Sequence, residues 1–393
     1  MVGERRARGR SHQAVDHAER RADAVPLRRR PDRPVLGQPA VPRHTPDGTA
    51  SRPALVDQLA LFGGGDDAEP APRIEPLVTA EDRELGEALP DFVRFGTSSW
   101  SFPGWKGLVW RDDAAAVITE TALARVGLAA YAQHPLFRAV SLDRGYYAPV
   151  PATDLAAYRA QIAAADRPGP PFRLVSKVWD EVTTAVYPKH PRYGARAGTV
   201  NPNFLSAAHF VNDVLVPFRD ADLLGNPFVF ELTPMPKGAL DERTLIGRID
   251  DFLSRIPAGR YAFELRNAEL FGARWLDMLR AHRAAHVFTY WTAMPSLRVQ
   301  LTKRALTAPF TVVRLMLPPY TRYATRKAGF APFDKLVEPQ LEMRADVIDI
   351  LRAAIEHGSK AAFVLVNNKA EGSAPLTVRE LAKLTVAAFS RKL

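Results

Sequence analysis

From Val93 onward the chain alternates apolar runs of strand length with amphipathic segments of helix length. Strands are predicted at VRFGTSS (93–99), RAVSLDRG (138–145), FRLVSKVW (172–179), PFVFELTP (227–234), YAFELRN (261–267), HVFTYW (286–291), FTVVRLML (310–317) and AAFVLVNN (361–368). Runs of this length, rich in β-branched and aromatic residues and bounded by turn formers, suit buried strands. Helical spacing covers 119–133, 152–165, 203–219, 241–255, 272–284, 342–357 and 377–391, while the connection 294–306 is weak as a helix. Thr377 and Glu380 have capping-box spacing, which predicts the start of the last helix there. Eight strands alternating with helices predict an α/β fold, a (β/α)8 TIM barrel, rather than an open doubly wound sheet. The first strand is not followed by a glycine-rich dinucleotide fingerprint, which also counts against the doubly wound alternative.

Patterning of this kind is missing before residue 81. Residues 1–54 hold twelve arginines, six acids, seven prolines and no aromatic residue. So little apolar surface cannot offset the entropy of ordering, and a disordered basic tail is expected. GGGDD and Pro70, Pro72 and Pro76 then read as linker, so the chain divides into a tail and linker (1–80) and a barrel domain (81–393). The tail carries +6 of the formal +10 net charge, which removes much of the case for a generally basic, nucleic-acid-coating protein. With zero cysteines, disulfides, thiolate metal sites and cysteine nucleophiles are excluded. No apolar run reaches the roughly 18 residues of a membrane span, and no secretory signal is visible, so a cytoplasmic protein without membrane partners is expected.

Barrel chemistry sits at the carboxyl ends of the strands. On the fifth strand Phe263 and Leu265 are expected to face the helices, which turns Glu264 and Arg266 inward. The same parity brings in Asp143, Lys177, Glu231, Arg314 and one of Asn367 or Asn368, for which Asn367 is taken. Such charges must satisfy one another or a ligand. Glu264 beside Arg266 reads as a general base, and Glu231 as a second carboxylate that could complete a glycosidase-like pair. Lys177 is a Schiff-base candidate only if neighbouring carboxylates do not keep it protonated. Six histidines follow the tail, and only His190 falls in an upper loop, so neither a metal nor another cofactor is expected. Two upper loops, YPKHPRYGARAG (187–198) and PPYTRYATRKAGFA (318–331), mix cations with tyrosines and contain no acid. Arg192 and Arg322 from these loops, with Trp100 and Tyr147 from earlier ones, are candidate ligand contacts.

GTSSWSFPGWKGLVW (96–110), AVSLDRGYYAPVPA, PFVFELTPMP, YAFELRN, TVVRLML and VLVNNKAEGSAP together resemble, in order and spacing, the domain-of-unknown-function family 72, the YecE-like proteins. The likeness covers roughly Phe92 to Leu393 and implies a TIM barrel. It implies no particular reaction. The sequence departs from the family pattern at Ser99, Ser141, Asp143, Asn267 and Leu315–Leu317.

The residues therefore favour a metal-independent acid–base enzyme, a hydrolase, isomerase or lyase, acting on an anionic, phosphorylated or carboxylated, sugar-like small molecule. A non-catalytic nucleic-acid-binding module using the basic loops is the competing class, and a barrel without catalysis is a third. After Met1 the next methionine is Met235, and Val56 opens a plausible terminus, VDQLALFGGGDD. Translation is expected to start at Val56, with residues 1–55 outside the natural protein. Intact-mass measurement of the native protein will then lack Arg5 to Arg52, and a mass that includes them overturns this expectation.

Overall fold

The computed structural model describes residues 74–111, 118–318 and 323–390; the predicted tail and the proposed start at Val56 lie outside them. All eight predicted strands are present: β1 (Val93–Thr97), β2 (Ala139–Leu142), β3 (Arg173–Lys177), β4 (Phe228–Glu231), β5 (Tyr261–Glu264), β6 (Ala285–Tyr290), β7 (Thr311–Leu315) and β8 (Ala362–Val366). They pair in parallel and in chain order, and β8 returns to β1 to close the barrel. Strand alternation divides the core in two. Ala139, Val175, Val229, Ala262, Val287, Val312, Phe363 and Leu365 fill the interior. Phe95, Val140, Leu174, Phe230, Phe263, Phe288, Val313 and Val364 pack outward in the layer shared with the helices. Gly96 is required where β1 meets β2, since a side chain there would collide with the Ala139 carbonyl.

The helices follow the predicted spacing with physical exceptions. The 119–133 segment is two helices, Glu120–Val126 and Leu128–Gln133, that meet at Gly127. A Cβ at Gly127 would lie 2.6 Å from the Leu123 carbonyl oxygen. The 203–219 segment becomes helical only from Ala207 and contains a wide turn at Phe210–Leu215, just before Pro217. Proline has no amide hydrogen to continue the regular ladder there. Leu297–Thr302 is a short helix in the connection that patterning left weak, and Tyr323–Phe330 is a helix that patterning did not suggest.

The predicted start of the last helix is corrected. That helix begins at Ala374, with Pro375 in its first turn, where a fixed φ and a missing amide hydrogen cost nothing. Thr377 lies inside it and donates its hydroxyl to the Ser373 carbonyl at 3.0 Å. The capping box is instead at the opening helix, Ala80–Ala88, where the Asp82 amide donates to Thr79 Oγ1 and the Thr79 amide donates to Asp82 Oδ2, both at 3.1 Å. Asp82 also receives Arg379 from the closing helix at 2.8 and 2.9 Å, which ties the two ends of the domain together. Among the described residues no helix is long and apolar enough to cross a membrane.

Two histidines are built into this frame as neutral rings. His134 lies buried beside Asp82, and burial, only partly opposed by that carboxylate, pushes its pKa down to about 4. His286 accepts from Trp275 Nε1 at 3.3 Å through Nδ1 and faces Gln300 Oε1 at 3.2 Å through Nε2; its burial has the same effect, to about 4. In the unfolded chain both protonate near 6.5. Their stabilisation is therefore complete above pH 6.5 and lost as pH falls from 6.5 toward 4, up to about 3 kcal/mol for each ring. Urea unfolding at pH 7 and pH 4.5 will show this loss, and His286→Gln will reduce the difference between the two pH values.

Candidate functional site

The inward parity of the strands carries six charged side chains to the carboxyl end of the barrel. Arg314 from β7 is at their centre and almost completely buried. Its Nη1 donates to Glu231 Oε2 at 2.7 Å and also to Glu264 Oε2, while its Nη2 lies 3.6 Å from Asp143 Oδ2. Arg266, just past β5, donates from Nε to Glu264 Oε1 at 2.8 Å, and its Nη2 forms an ion pair with Glu231 Oε2 at 3.0 Å. Its guanidinium stacks on Trp291, 4.0 Å from the ring centroid. Lys177 at the end of β3 completes the set, with Nζ 2.9 Å from Glu231 and 3.2 Å from Asp143. Three carboxylates thus meet three cations, which offsets the cost of burying each.

Burial alone would raise the Glu231 carboxyl, but Arg266, Lys177 and Arg314 outweigh it and hold this group well below the usual range. Lys177 is pushed up, because Asp143 and Glu231 overcome its burial. It therefore stays an ammonium ion, and the Schiff-base role considered for it does not suit its surroundings. Glu264 is wholly buried, with Oε1 held by Arg266 and by the Thr289 hydroxyl at 3.2 Å and Oε2 by Arg314. Glu264 is thus enclosed by the two arginines and Thr289, an environment that does not favour the general-base role expected of it. The glycosidase-like pairing is disfavoured in the same way. Glu231 and Glu264 are register neighbours, but the guanidinium nitrogens of Arg314 and Arg266 occupy the space between them where a scissile bond would need to lie.

The remaining sequence candidates fall around this cluster. Trp100 walls a small recess of about 90 Å³ together with Ser98, Ser101, Ser141 and Asp143. Its Nε1 is anchored on the Leu123 carbonyl at 3.0 Å and its ring meets Tyr158 edge-on. Tyr147 is partly exposed beneath Arg192, whose guanidinium lies 4.9 Å from its ring centroid and 5.3 Å from that of Tyr146. Asn367 follows the inward parity of Phe363 and Leu365, but its Oδ1 accepts from the Lys369 amide at 3.0 Å rather than joining the ionic cluster. Arg322 and Tyr320 lie outside the described residues.

The acid-free character of the two loops does not survive folding. Arg192 pairs with Asp180, and Arg196 with Glu181 at 2.9 Å, both acids coming from the short helix Asp180–Thr183 that precedes the loop. Arg326 is buried on Glu338 and on the carbonyls of Lys369 and Ala370 at 3.2 and 3.1 Å. Thr289 and Ser141 share the inward parity of Val287 and Ala139 and were legible on that ground, though they carry no charge. Trp291 follows the same parity from Val287 and Thr289, whereas Asp180 and Glu181, beyond the end of β3, carried no comparable sequence signal for these contacts. Among the described residues no group of three or more histidine, aspartate or glutamate side chains is arranged to hold a metal ion.

Comparison with known proteins agrees with this architecture. A DUF72 family protein of Enterococcus faecalis has 15% sequence identity, covering 75% of this chain and 95% of its own, with a TM-score of 0.50. A DUF72 family protein of Thermotoga maritima has 17% identity over 75% of this chain and 98% of its own, with a TM-score of 0.49. No curated protein matches the chain. The family model described as protein of unknown function DUF72 matches residues 94–392, the whole barrel from β1 to the closing helix. The chain therefore belongs to the DUF72, or YecE-like, family of TIM-barrel proteins.

Proposed function

We propose that the upper end of the barrel binds an anionic, sugar-like small molecule and performs metal-independent acid–base chemistry on it. The observation that carries this reading is Arg314 Nη2, which is buried and without a hydrogen bond, facing Asp143 across 3.6 Å. Asp143 also forms a wall of the serine-lined recess and contacts Lys177. A ligand oxyanion that displaces Asp143 would gain both Lys177 and the free Arg314 donor, and such charge-assisted bonds are the strong ones. The recess of about 90 Å³ is about three waters in volume, enough for one phosphate- or carboxylate-sized group. The rest of the ligand would lie above it, against Tyr147 and Arg192.

Within this reading Asp143, the most exposed carboxylate of the cluster, transfers the proton at the ligand. Glu231 is held ionised and accepts a ligand hydroxyl, Lys177 and Arg314 neutralise the anion, and Arg266 and Glu264 keep the others in place. The nucleic-acid reading has less support, since Arg192, Arg196 and Arg326 each already have a carboxylate partner.

Calorimetric titration with inorganic phosphate and a panel of sugar phosphates will show binding that Lys177→Met weakens about tenfold, the loss of one charge-assisted contact. Asp143→Asn will keep affinity within about threefold while abolishing turnover of any panel member that reacts, since it removes a proton acceptor but not the cations. Failure of every panel member to bind would overturn the small-anion reading. Oligonucleotides at low salt will bind weakly or not at all; tight binding that falls steeply with salt would favour the competing class.

A further inference from the structure

The opposite end of the barrel carries a second concentration of cations that the upper site does not use. Arg94 is the second residue of β1, Arg138 immediately precedes β2, Arg173 opens β3, Arg260 immediately precedes β5, and Arg167 lies in the connection leading into β3. The parity of Ala262 and Val175, and of β1 with Val93 and Phe95 outward, turns Arg94, Arg173 and Arg260 toward the barrel interior. Backbone contacts bring them together: the Arg138 amide donates to the Phe95 carbonyl at 2.8 Å, and the Arg173 amide to the Arg138 carbonyl at 3.2 Å. Gly225 abuts two of them. Arg260 Nη1 donates to its carbonyl at 3.2 Å, and a Cβ on Gly225 would stand 2.9 Å from Arg173 Nη1.

None of the five makes an ion pair with a carboxylate among the described residues. Arg138 is spent on backbone, donating to the carbonyls of Gly86, Leu89, Pro90 and Val93. Arg167 does the same with those of Ala132, Pro135 and Phe137. The Nε atoms of both are buried and without a hydrogen bond. Burial first, and then the neighbouring arginines, press Arg94 and Arg167 down to about 10, for Arg94 against the partial opposition of Asp91. A guanidinium keeps its proton in a protein, so that pressure is expressed as the cost of burying the charge and, after it, as repulsion among the arginines. Two recesses open on this end, one of about 520 Å³ lined by Arg138 and Arg167 and also by Glu87 and Asp91, the other of about 470 Å³ lined by Arg260, Arg283 and Lys360.

We propose that the amino-terminal end of the barrel is a second anion site, in which Arg94, Arg173 and Arg260, flanked by Arg138 and Arg167, hold a small multivalent oxyanion of the phosphate or pyrophosphate class. The apolar layer of Val175, Val229, Val312 and Phe363 separates it from the upper cluster, so the two sites act independently. An anion here cancels repulsion that the folded chain otherwise retains, and a ligand bound only by the folded state raises stability by mass action.

The test is thermal unfolding of the whole protein in pyrophosphate against sodium chloride at equal ionic strength, with calorimetric titration of pyrophosphate alongside. The parent protein will melt higher in pyrophosphate, and Lys177→Met will keep at least about half of that gain, losing no more than the share of the upper site. Arg173→Gln and Arg260→Gln will lose at least about half of the gain and bind pyrophosphate about tenfold more weakly, while melting no lower than the parent in chloride. Arg260 is exposed, so its variant carries the test even if Arg173→Gln folds poorly. No gain in the parent, an undiminished gain in Arg260→Gln, or a gain lost in Lys177→Met overturns the proposal. The last result would instead move the anion to the upper site.

Discussion

A guanidinium buried at the axis of a closed barrel needs carboxylates around it, and the upper half of this molecule is arranged around that need at Arg314. Glu231 and Glu264 reach it from adjacent strands, Asp143 approaches from across the barrel, and Arg266 and Lys177 balance the excess of negative charge this creates. Because β4 and β5 are in register at the two glutamates, one arginine nitrogen can serve both. Each member then depends on the others, since removing one partner leaves an uncompensated charge in a poorly solvated place. Glu264, the deepest, is consumed by this arrangement, while Asp143, the most open, adjoins the serine-lined recess.

Positive charge is organised differently at the two ends of the barrel. At the top it is matched one for one by acids, and even the basic loop 187–198 is neutralised in part by Asp180 and Glu181. At the base, among the described residues, arginines donate to backbone carbonyls and form no ion pair with a carboxylate. Carbonyl oxygens satisfy hydrogen-bonding capacity without cancelling charge, so a field remains there that the total of +10 does not reveal.

Much of the fold was legible because a strand's two faces repeat every second residue. Phe263 and Leu265 identify the outer face of β5, and Glu264 and Arg266 must then point inward. The same rule located Lys177, Glu231, Arg314 and Asp143 without knowledge of any contact. It failed where sequence distance hides a partner. The acids that pair with the 187–198 loop come before it, and the spacing of Thr377 and Glu380 mimicked a cap whose true position, Ser373, lies four residues earlier.

The sequence by itself determined the alternation of strands and helices, the eight-stranded closed architecture and the identity of the charges that enter the barrel. These follow from local periodicity and from the cost of exposing apolar faces. Only the tertiary structure decided which charge neutralises which, that Glu264 is enclosed while Asp143 stays open, and that the basal arginines form no ion pair among the described residues. Those outcomes depend on distances between residues far apart in the chain, and electrostatic energy in a poorly solvated interior varies too steeply with distance for residue order to stand in for it.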